Sequence, residues 1–198
     1  FSPKLIIQLL AEGSRLKAFI ERGLFMKILT IHGYKGNAHN AVYSALHSLG
    51  VDTISPQFDY SKDSPEYVFA ELRKILDENQ VDMITGTSLG GFFALTLAIE
   101  RDLPVMLTNP CLMPFLHLPR LGYTGEVDTF MKIFPIFTKV DTSKAYAVIG
   151  EKDQIIDTHD FTKRIIPNYD VVEGADHFSR NLNLEYYFKK ELEKGGYI

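Results

Sequence analysis

Cysteine is nearly absent from this sequence: Cys111 is the only one among 198 residues. An internal disulfide is therefore excluded, and we expect a reducing compartment, which favours a cytoplasmic location. A cluster of positive charge is also lacking: the formal net charge is −4, and the lysines and arginines are scattered along the chain. A nucleic-acid partner would call for a clustered basic surface, so none is expected. No apolar run reaches the length of a membrane span.

Metal-ligand patterns are missing as well. The sequence contains six histidines, but no pair of them has the spacing typical of a zinc site. A single cysteine cannot supply a pair of thiolates to a metal. We therefore expect neither a metal ion nor another cofactor.

Apolar runs alternate with amphipathic stretches from Met26 onward, and both kinds of segment have clear stop signals. The expected strands lie at about 26–31, 51–55, 81–85, 105–108, 145–149 and 169–172. The expected helices lie at about 38–49, 65–79, 90–99, 158–165 and 185–193. This alternation predicts one α/β domain over residues 26–198, with about six mostly parallel strands and helices on both faces of the sheet.

Two segments do not fit this alternation. Residues 1–25 have apolar residues at helical spacing, which predicts an N-terminal helical extension before the domain. A signal peptide is the alternative, but its apolar core would be short and no clear small-x-small cleavage site follows it. Residues from about 110 to 142 follow the fourth strand and are rich in aromatic side chains. So long an apolar segment favours an insertion over a site rather than an idle loop.

A candidate nucleophile stands where the third strand meets the next helix. Gly86-Thr87-Ser88-Leu89-Gly90 fits the pattern G-x-S-x-G, in which a sharp strand-to-helix turn exposes a strained serine above the sheet. Glycine on both sides removes Cβ atoms that would collide in so tight a turn. The pattern alone is weak, because an ordinary turn would fit it. A strand before it and a helix after it favour Ser88 as a nucleophile.

The sequence also offers a base and an acid for a Ser-Asp-His triad, each after a later strand. His177 follows the sixth strand, and a neutral imidazole can accept the serine proton near pH 7. Asp153 follows the fifth strand and is the preferred partner of that imidazole. Three other carboxylates remain alternatives: Glu151 near the strand end, Asp157, for which a helix cap is the favoured role, and Asp176 beside the base.

Two backbone N–H groups are candidates for an oxyanion hole. The N–H of Leu89 directly follows the nucleophile, and the N–H of Tyr34 lies in the glycine-containing loop after the first strand. His32, at the start of that loop, is expected to support it. Candidates for a substrate pocket are Asn109, Phe115, Leu116, Tyr123, Phe130 and Phe137. An aromatic insertion of this kind is as often simple core.

The sequence resembles the α/β-hydrolase superfamily in four ordered motifs: His32-Gly33-Tyr34, Gly86 to Gly91, Gly150 to Asp153 and Gly174 to His177. It resembles the YqiA/YcfP group of small bacterial esterases more narrowly in Thr87 to Phe93, Asn109-Pro110, Pro114-Phe115 and Leu121 to Gly125. Tyr34 stands where that group often has phenylalanine. The resemblance covers the chain from about Met26. It implies a compact α/β-hydrolase fold and hydrolysis of carboxylic ester or thioester bonds in small acyl substrates.

Two other functions stay open at this point. The same triad could cleave an amide or a C–C bond instead of an ester. A hydrolase scaffold could also serve as a binding protein whose triad is unused. Reaction of the serine with a fluorophosphonate, and the choice among ester, thioester and amide substrates, would separate these functions.

Overall fold

A six-stranded sheet forms the centre of the fold. The computed structural model describes residues 26–198, so the helix predicted within residues 1–25 lies outside the described residues. The strands are β1 (Lys27–Ile31), β2 (Asp52–Ile54), β3 (Met83–Thr87), β4 (Val105–Thr108), β5 (Ala145–Lys152) and β6 (Asn168–Asp176). Their order across the sheet is β2-β1-β3-β4-β5-β6, and every neighbouring pair is parallel. The prediction of six mostly parallel strands is confirmed.

Seven α-helices occur in residues 26–198. They are α1 (Ala41–Ser48), α2 (Pro65–Glu78), α3 (Leu89–Arg101), α4 (Pro114–His117), α5 (Asp128–Ile133), α6 (His159–Ile165) and α7 (Leu184–Lys194). Side chains fix three of their starts: Asn40 caps α1, Ser64 Oγ accepts a hydrogen bond from the Tyr67 N–H at the start of α2, and Asn183 Oδ1 accepts one from the Tyr186 N–H at the start of α7. None of the seven is both long and apolar enough to cross a bilayer.

The helices cover both faces of the sheet, as predicted. Alternate residues of β1 show the division: Ile28 packs in one buried cluster, whereas Leu29 and Ile31 pack in another. The first cluster includes apolar side chains of α1 and α7, and the second includes those of α2, α3 and α6. Because both faces are covered, an inner strand such as β4 is buried along its whole length.

Strands β5 and β6 are longer than the segments predicted for them. Their pairing continues through an irregularity between Gly150 and Lys152, after which Lys152 pairs with Asp176. The hydrophobic pattern misses this part because β6 is an edge strand, along which exposed and partly buried residues alternate. The extension carries β6 to Asp176, one residue before His177.

The segment between β4 and β5 packs on α3. It contains α4, α5 and two 3-10 helices, Pro119–Leu121 and Phe134–Thr138. Phe130 and Phe137 of this segment each place a ring nearly perpendicular to that of Phe92 in α3, with 5.2 Å between ring centroids in both pairs. Edge-to-face pairs of this kind stabilise a core beyond the apolar area that they bury. The aromatic side chains of the segment thus form a cluster with α3.

Candidate active site

Ser88 occupies a strained turn between β3 and α3. β3 begins at Met83 and ends at Thr87, both two residues later than predicted, and Gly86 and Thr87 still pair with β4. Ser88 then adopts φ 51° and ψ −120°, a backbone conformation that residues with a Cβ atom rarely adopt. α3 begins at Leu89, so the first N–H groups of that helix follow directly on the serine.

The two glycines of this turn are required, because a Cβ atom at either position would collide with the backbone. A Cβ atom on Gly86 would overlap the carbonyl of Gly90, and a Cβ atom on Gly90 would overlap the carbonyl of Ile31 in β1. Gly33 is restricted in the same way, because its Cβ atom would lie 2.9 Å from Ser88 Cβ. The close approach of α3 to both β3 and β1 therefore explains the two glycines of the G-x-S-x-G pattern, and the loop after β1 lies next to Ser88.

His177 and Asp153 lie in line with Ser88 at the carboxyl ends of the strands. His177 Nε2 is 3.1 Å from Ser88 Oγ, and His177 Nδ1 is 2.8 Å from Asp153 Oδ2. An ionised carboxylate can only accept, so these partners assign the proton of a neutral imidazole to Nδ1. The lone pair of Nε2 then faces the serine hydroxyl, as a base for that proton requires. Three residues predicted after three different strands are thus adjacent.

Four hydrogen bonds hold the Asp153 carboxylate, and its side chain is only 1% exposed. Oδ1 accepts from the N–H groups of Ile155 and Ile156, both at 2.9 Å, and Oδ2 contacts His177 and His159. Burial by itself raises the pKa of Asp153. The hydrogen bonds from the two histidines and from the backbone outweigh burial and hold this pKa well below its usual range. The carboxylate is therefore charged at neutral pH.

His159 is a contact of this carboxylate that was not predicted from the sequence. Its Nε2 lies 2.9 Å from Asp153 Oδ2, the oxygen that His177 also contacts. The His159 side chain is 9% exposed, and its Nδ1 has no hydrogen-bond partner among residues 26–198. The turn at Ile155-Ile156, held by Asp153 Oδ1, brings the first residue of α6 back to the carboxylate. The sequence offers no local signal for this contact, because it depends on that turn.

Asn109, which was predicted for a substrate pocket, supports the segment that carries His177. It is fully buried just after β4, with a left-handed φ of 44°. Its Nδ2 donates to the carbonyls of Asp176 and His177 at 3.0 and 3.2 Å. Its Oδ1 accepts from the N–H of Gly150 at 2.7 Å. One side chain therefore ties the end of β4 to β5 and to the histidine.

His32 fixes the loop after β1, as expected. Its Nε2 accepts a hydrogen bond from the N–H of Phe58 at 3.0 Å, and its Nδ1 lies 2.9 Å from the carbonyl oxygen of Gly33. Burial lowers the pKa of His32, so the ring is neutral and one nitrogen is free to accept. The hydroxyl of Tyr60 donates to the His32 carbonyl at 2.8 Å. These bonds position the loop that contains Tyr34.

The residues predicted for an oxyanion hole both lie beside the serine. Tyr34 lines the same cleft as Ser88. Leu89 is the first residue of α3, and its N–H therefore has no acceptor within the helix. An orphan N–H at a helix start suits a developing negative charge. The binding of an oxyanion by these two N–H groups stays a prediction.

An open cleft of about 220 Å³ leads to Ser88. Its walls include Tyr34 and Lys35 from the loop after β1, Val42 from α1, and His177 and Phe178 after β6. Phe178 is 62% exposed, although it directly follows the histidine. The cleft therefore offers mainly apolar contacts, with one lysine at its edge.

None of the six residues predicted for a pocket lines this cleft. Phe130 and Phe137 are buried in the aromatic cluster, Phe115 packs inside the same segment against Phe134, and Leu116 is 41% exposed. Tyr123 contacts a residue of the cleft wall, because its ring packs edge-on against Tyr34 with 5.8 Å between centroids. The segment after β4 thus mainly covers α3, and Asn109 supports the segment that carries His177.

The alternative acids have other partners. Glu151 accepts from a backbone N–H of β6 at 3.0 Å. Asp157 pairs with Arg120 at 2.9 Å and does not cap α6, whose N-terminus has no side-chain capping bond. Asp176 accepts from two N–H groups of its own turn and pairs with Arg180 at 2.8 Å. Within residues 26–198, no three or more His, Cys, Asp or Glu side chains are grouped so as to hold a metal ion.

The sequence is similar to the members of one protein family. The sequence profile of UPF0227, described as an uncharacterised protein family, matches residues 27–189. YcfP of Salmonella arizonae, itself named a UPF0227 protein, is 23% identical over 171 residues. The matched region covers 79% of this chain and 92% of that relative.

Solved structures share the fold at low sequence identity. MGS-MChE2, described as an α/β hydrolase enzyme from a sediment metagenome of the Mar Chica lagoon in Morocco, is 14% identical, with a TM-score of 0.61 over 86% of this chain and 92% of that one. The esterase domain of a Rhodothermus marinus protein is 17% identical, with a TM-score of 0.63 over 87% and 86% of the two chains. Such likeness establishes the fold and not the reaction, and the predicted α/β-hydrolase fold is confirmed.

Proposed function

Because this chain belongs to the UPF0227 family, which includes YcfP proteins, and has the α/β-hydrolase fold, we propose that it is a serine hydrolase of carboxylic ester or thioester bonds in small acyl substrates. One observation carries the proposal: a continuous hydrogen-bonded line from Ser88 Oγ through His177 to Asp153. Ser88 sits in a strained strand-to-helix turn, where its hydroxyl can meet a substrate.

The first half-reaction transfers the acyl group to the enzyme. Ser88 Oγ bonds to the carbonyl carbon of the substrate while its proton passes to His177 Nε2. Asp153 keeps the imidazole in the required tautomer and stabilises the imidazolium that forms. The bond to the leaving group then breaks, and the imidazolium returns the proton to the departing oxygen or sulfur. The product left on the enzyme is an acyl ester of Ser88.

Water completes the cycle by the same route. A water molecule gives a proton to His177 Nε2 as its oxygen bonds to the acyl carbon. The bond to Ser88 Oγ then breaks, and the serine recovers its proton from the imidazolium. In both halves the N–H groups of Tyr34 and Leu89 would hold the negative oxygen.

The cleft supports a small substrate. Its volume of about 220 Å³ lies below the range of about 300–1,000 Å³ that holds most drug-sized ligands. Apolar walls at Tyr34, Val42 and Phe178 suit a short acyl chain or a compact aromatic group. We also propose a reducing, cytoplasmic location, which the near absence of cysteine supports.

A substrate panel with a matched variant tests the proposal. Wild-type protein and S88A are assayed on nitrophenyl esters, acyl-CoA thioesters and the corresponding amides of short acyl groups. We expect turnover of esters or thioesters, and a loss on the order of 10⁶-fold in S88A, as in other enzymes that lose a triad serine. S61A, at an exposed serine of another loop, should keep the wild-type rate. Activity on amides alone, or an active S88A, would refute the proposal.

A further inference from the structure

Two histidines share one oxygen of Asp153, and the triad uses only one of them. His177 lies between that oxygen and Ser88. His159 contacts the same oxygen at 2.9 Å but does not line the cleft. We infer that His159 is a positioning residue that, by sharing Asp153 Oδ2, weakens the hold of the carboxylate on the protonated form of His177. This inference rests on the function proposed above.

Hydrogen bonding assigns His159 as a neutral donor. Asp153 Oδ2 is an acceptor, so His159 Nε2 must carry the proton that lies between them. His159 Nδ1 is buried and has no partner among the described residues. A second proton on that nitrogen would be a buried donor without an acceptor, on a charged ring, which is costly. A neutral ring with the proton on Nε2 satisfies the site better.

The two carboxylate oxygens have separate tasks. Oδ1 accepts from the N–H groups of Ile155 and Ile156, which fix the orientation of the carboxylate without any help from His159. His159 acts on Oδ2, where its N–H takes up part of the negative charge that faces His177. Removing that donor should leave the orientation intact and strengthen the hydrogen bond from His177 to Oδ2.

Stronger pairing with Asp153 favours the imidazolium over the neutral imidazole. Only the neutral imidazole can accept the proton of Ser88. Without His159 the base should therefore stay protonated to a higher pH, and the acid side of the pH–rate profile should move to higher pH. The rate on the plateau should change little, because the line from Ser88 to Asp153 remains.

Other ionisable groups near this cluster come from several elements. Those that lie around Asp153, His159 and His177 are Cys111, His117 with its neighbour Arg120, Glu151, Asp157, Asp160, Lys163 and Asp176. His117 of α4 is a second buried histidine. Its Nε2 contacts Thr158 Oγ1 at 3.0 Å and not Asp153. Burial lowers the pKa of His117. It provides a control for the loss of a buried histidine that leaves the partners of Asp153 unchanged.

The test compares pH profiles of kcat/KM for a nitrophenyl ester in wild-type protein, H159F, H159Q and H117F. In H159F we expect the midpoint of the acid limb to rise by roughly half a pH unit or more, since a charge-assisted hydrogen bond is removed. The plateau rate should stay within about tenfold of wild type, because the triad itself is intact. H159Q retains an N–H donor and should restore the wild-type midpoint. H117F should lower the thermal midpoint without moving the acid limb.

An unchanged midpoint in H159F would overturn the inference, whatever its effect on the plateau or on stability. If H159F does not fold, ¹⁵N NMR of histidine-labelled wild-type protein tests the protonation on which the inference depends. The expected result is a proton on Nε2 of His159 and on Nδ1 of His177. A His159 ring with its proton on Nδ1 alone would contradict the inference. A wild-type protein without hydrolytic activity would instead refute the proposed function, whereas the NMR result would still report on His159.

Discussion

Asn109 joins three parts of the site, and its replacement should have a measurable cost. Its buried side chain donates to the carbonyls of Asp176 and His177 and accepts from the N–H of Gly150. Alanine removes these three hydrogen bonds, each worth roughly 1 kcal/mol, and leaves the Gly150 N–H without its acceptor. The left-handed φ of 44° adds about 1 kcal/mol, because alanine tolerates this region less well than asparagine. We expect N109A to lower the free energy of unfolding by about 3–4 kcal/mol.

Asn181 supplies the matched control. It also has a left-handed φ, of 61°, but it is exposed, and its Nδ2 lies 3.5 Å from the carbonyl of Gly174. N181A therefore has a similar backbone cost without the loss of buried hydrogen bonds. Urea unfolding at equilibrium should show N109A to be less stable than N181A by about 2–3 kcal/mol. A difference under about 0.5 kcal/mol would refute the supporting role that we give to Asn109.

Two further predictions concern packing and pH. G90A should lower the free energy of unfolding by about 3 kcal/mol or more, because its Cβ atom would overlap the Ile31 carbonyl. G50A, at an open position with a φ of +73°, should lower it by only about 1 kcal/mol. Equal thermal midpoints for the two variants would contradict the close approach of α3 to β1. Burial lowers the pKa of His32, so below about pH 6.5 the unfolded chain binds more protons than the folded protein does. The free energy of unfolding should therefore decrease as the pH is lowered. Urea unfolding at pH 5.5 and 7.5 gives the difference in the free energy of unfolding between the two pH values. This difference should be smaller in H32Q than in wild type or in H39Q, and an unchanged difference would contradict a buried, neutral His32.

The order of elements could be predicted because each strand of a covered parallel sheet is an apolar run with a stop signal. β4 matches its predicted bounds, since all four of its residues are buried. β6 could not be bounded in the same way, because an edge strand carries a mixed pattern and its length follows from pairing with β5. The pairing of distant residues, as between Lys152 and Asp176, has no local signal in the sequence.

The same distinction applies to the site. Ser88, Asp153 and His177 could be placed near one another because each follows a strand, and parallel strands end at one edge of the sheet. Asn109 also follows a strand, but the inward direction of its side chain depends on a left-handed φ that the sequence does not reveal. His159 reaches Asp153 only through the turn held by Oδ1. The aromatic segment after β4 shows that an apolar side chain can equally be core or pocket until its neighbours are known.

Covalent labelling of the serine tests the central claim most directly. Folded protein is treated with a fluorophosphonate probe at pH 7.5, digested and examined by mass spectrometry, with S88A and H177A as controls. We predict a single modified peptide that contains Ser88, no modification in S88A, and strongly slowed labelling in H177A, because the serine then lacks its base. Folded wild-type protein that stays unlabelled, or that is labelled equally fast without His177, would contradict the assignment of Ser88 as an activated nucleophile.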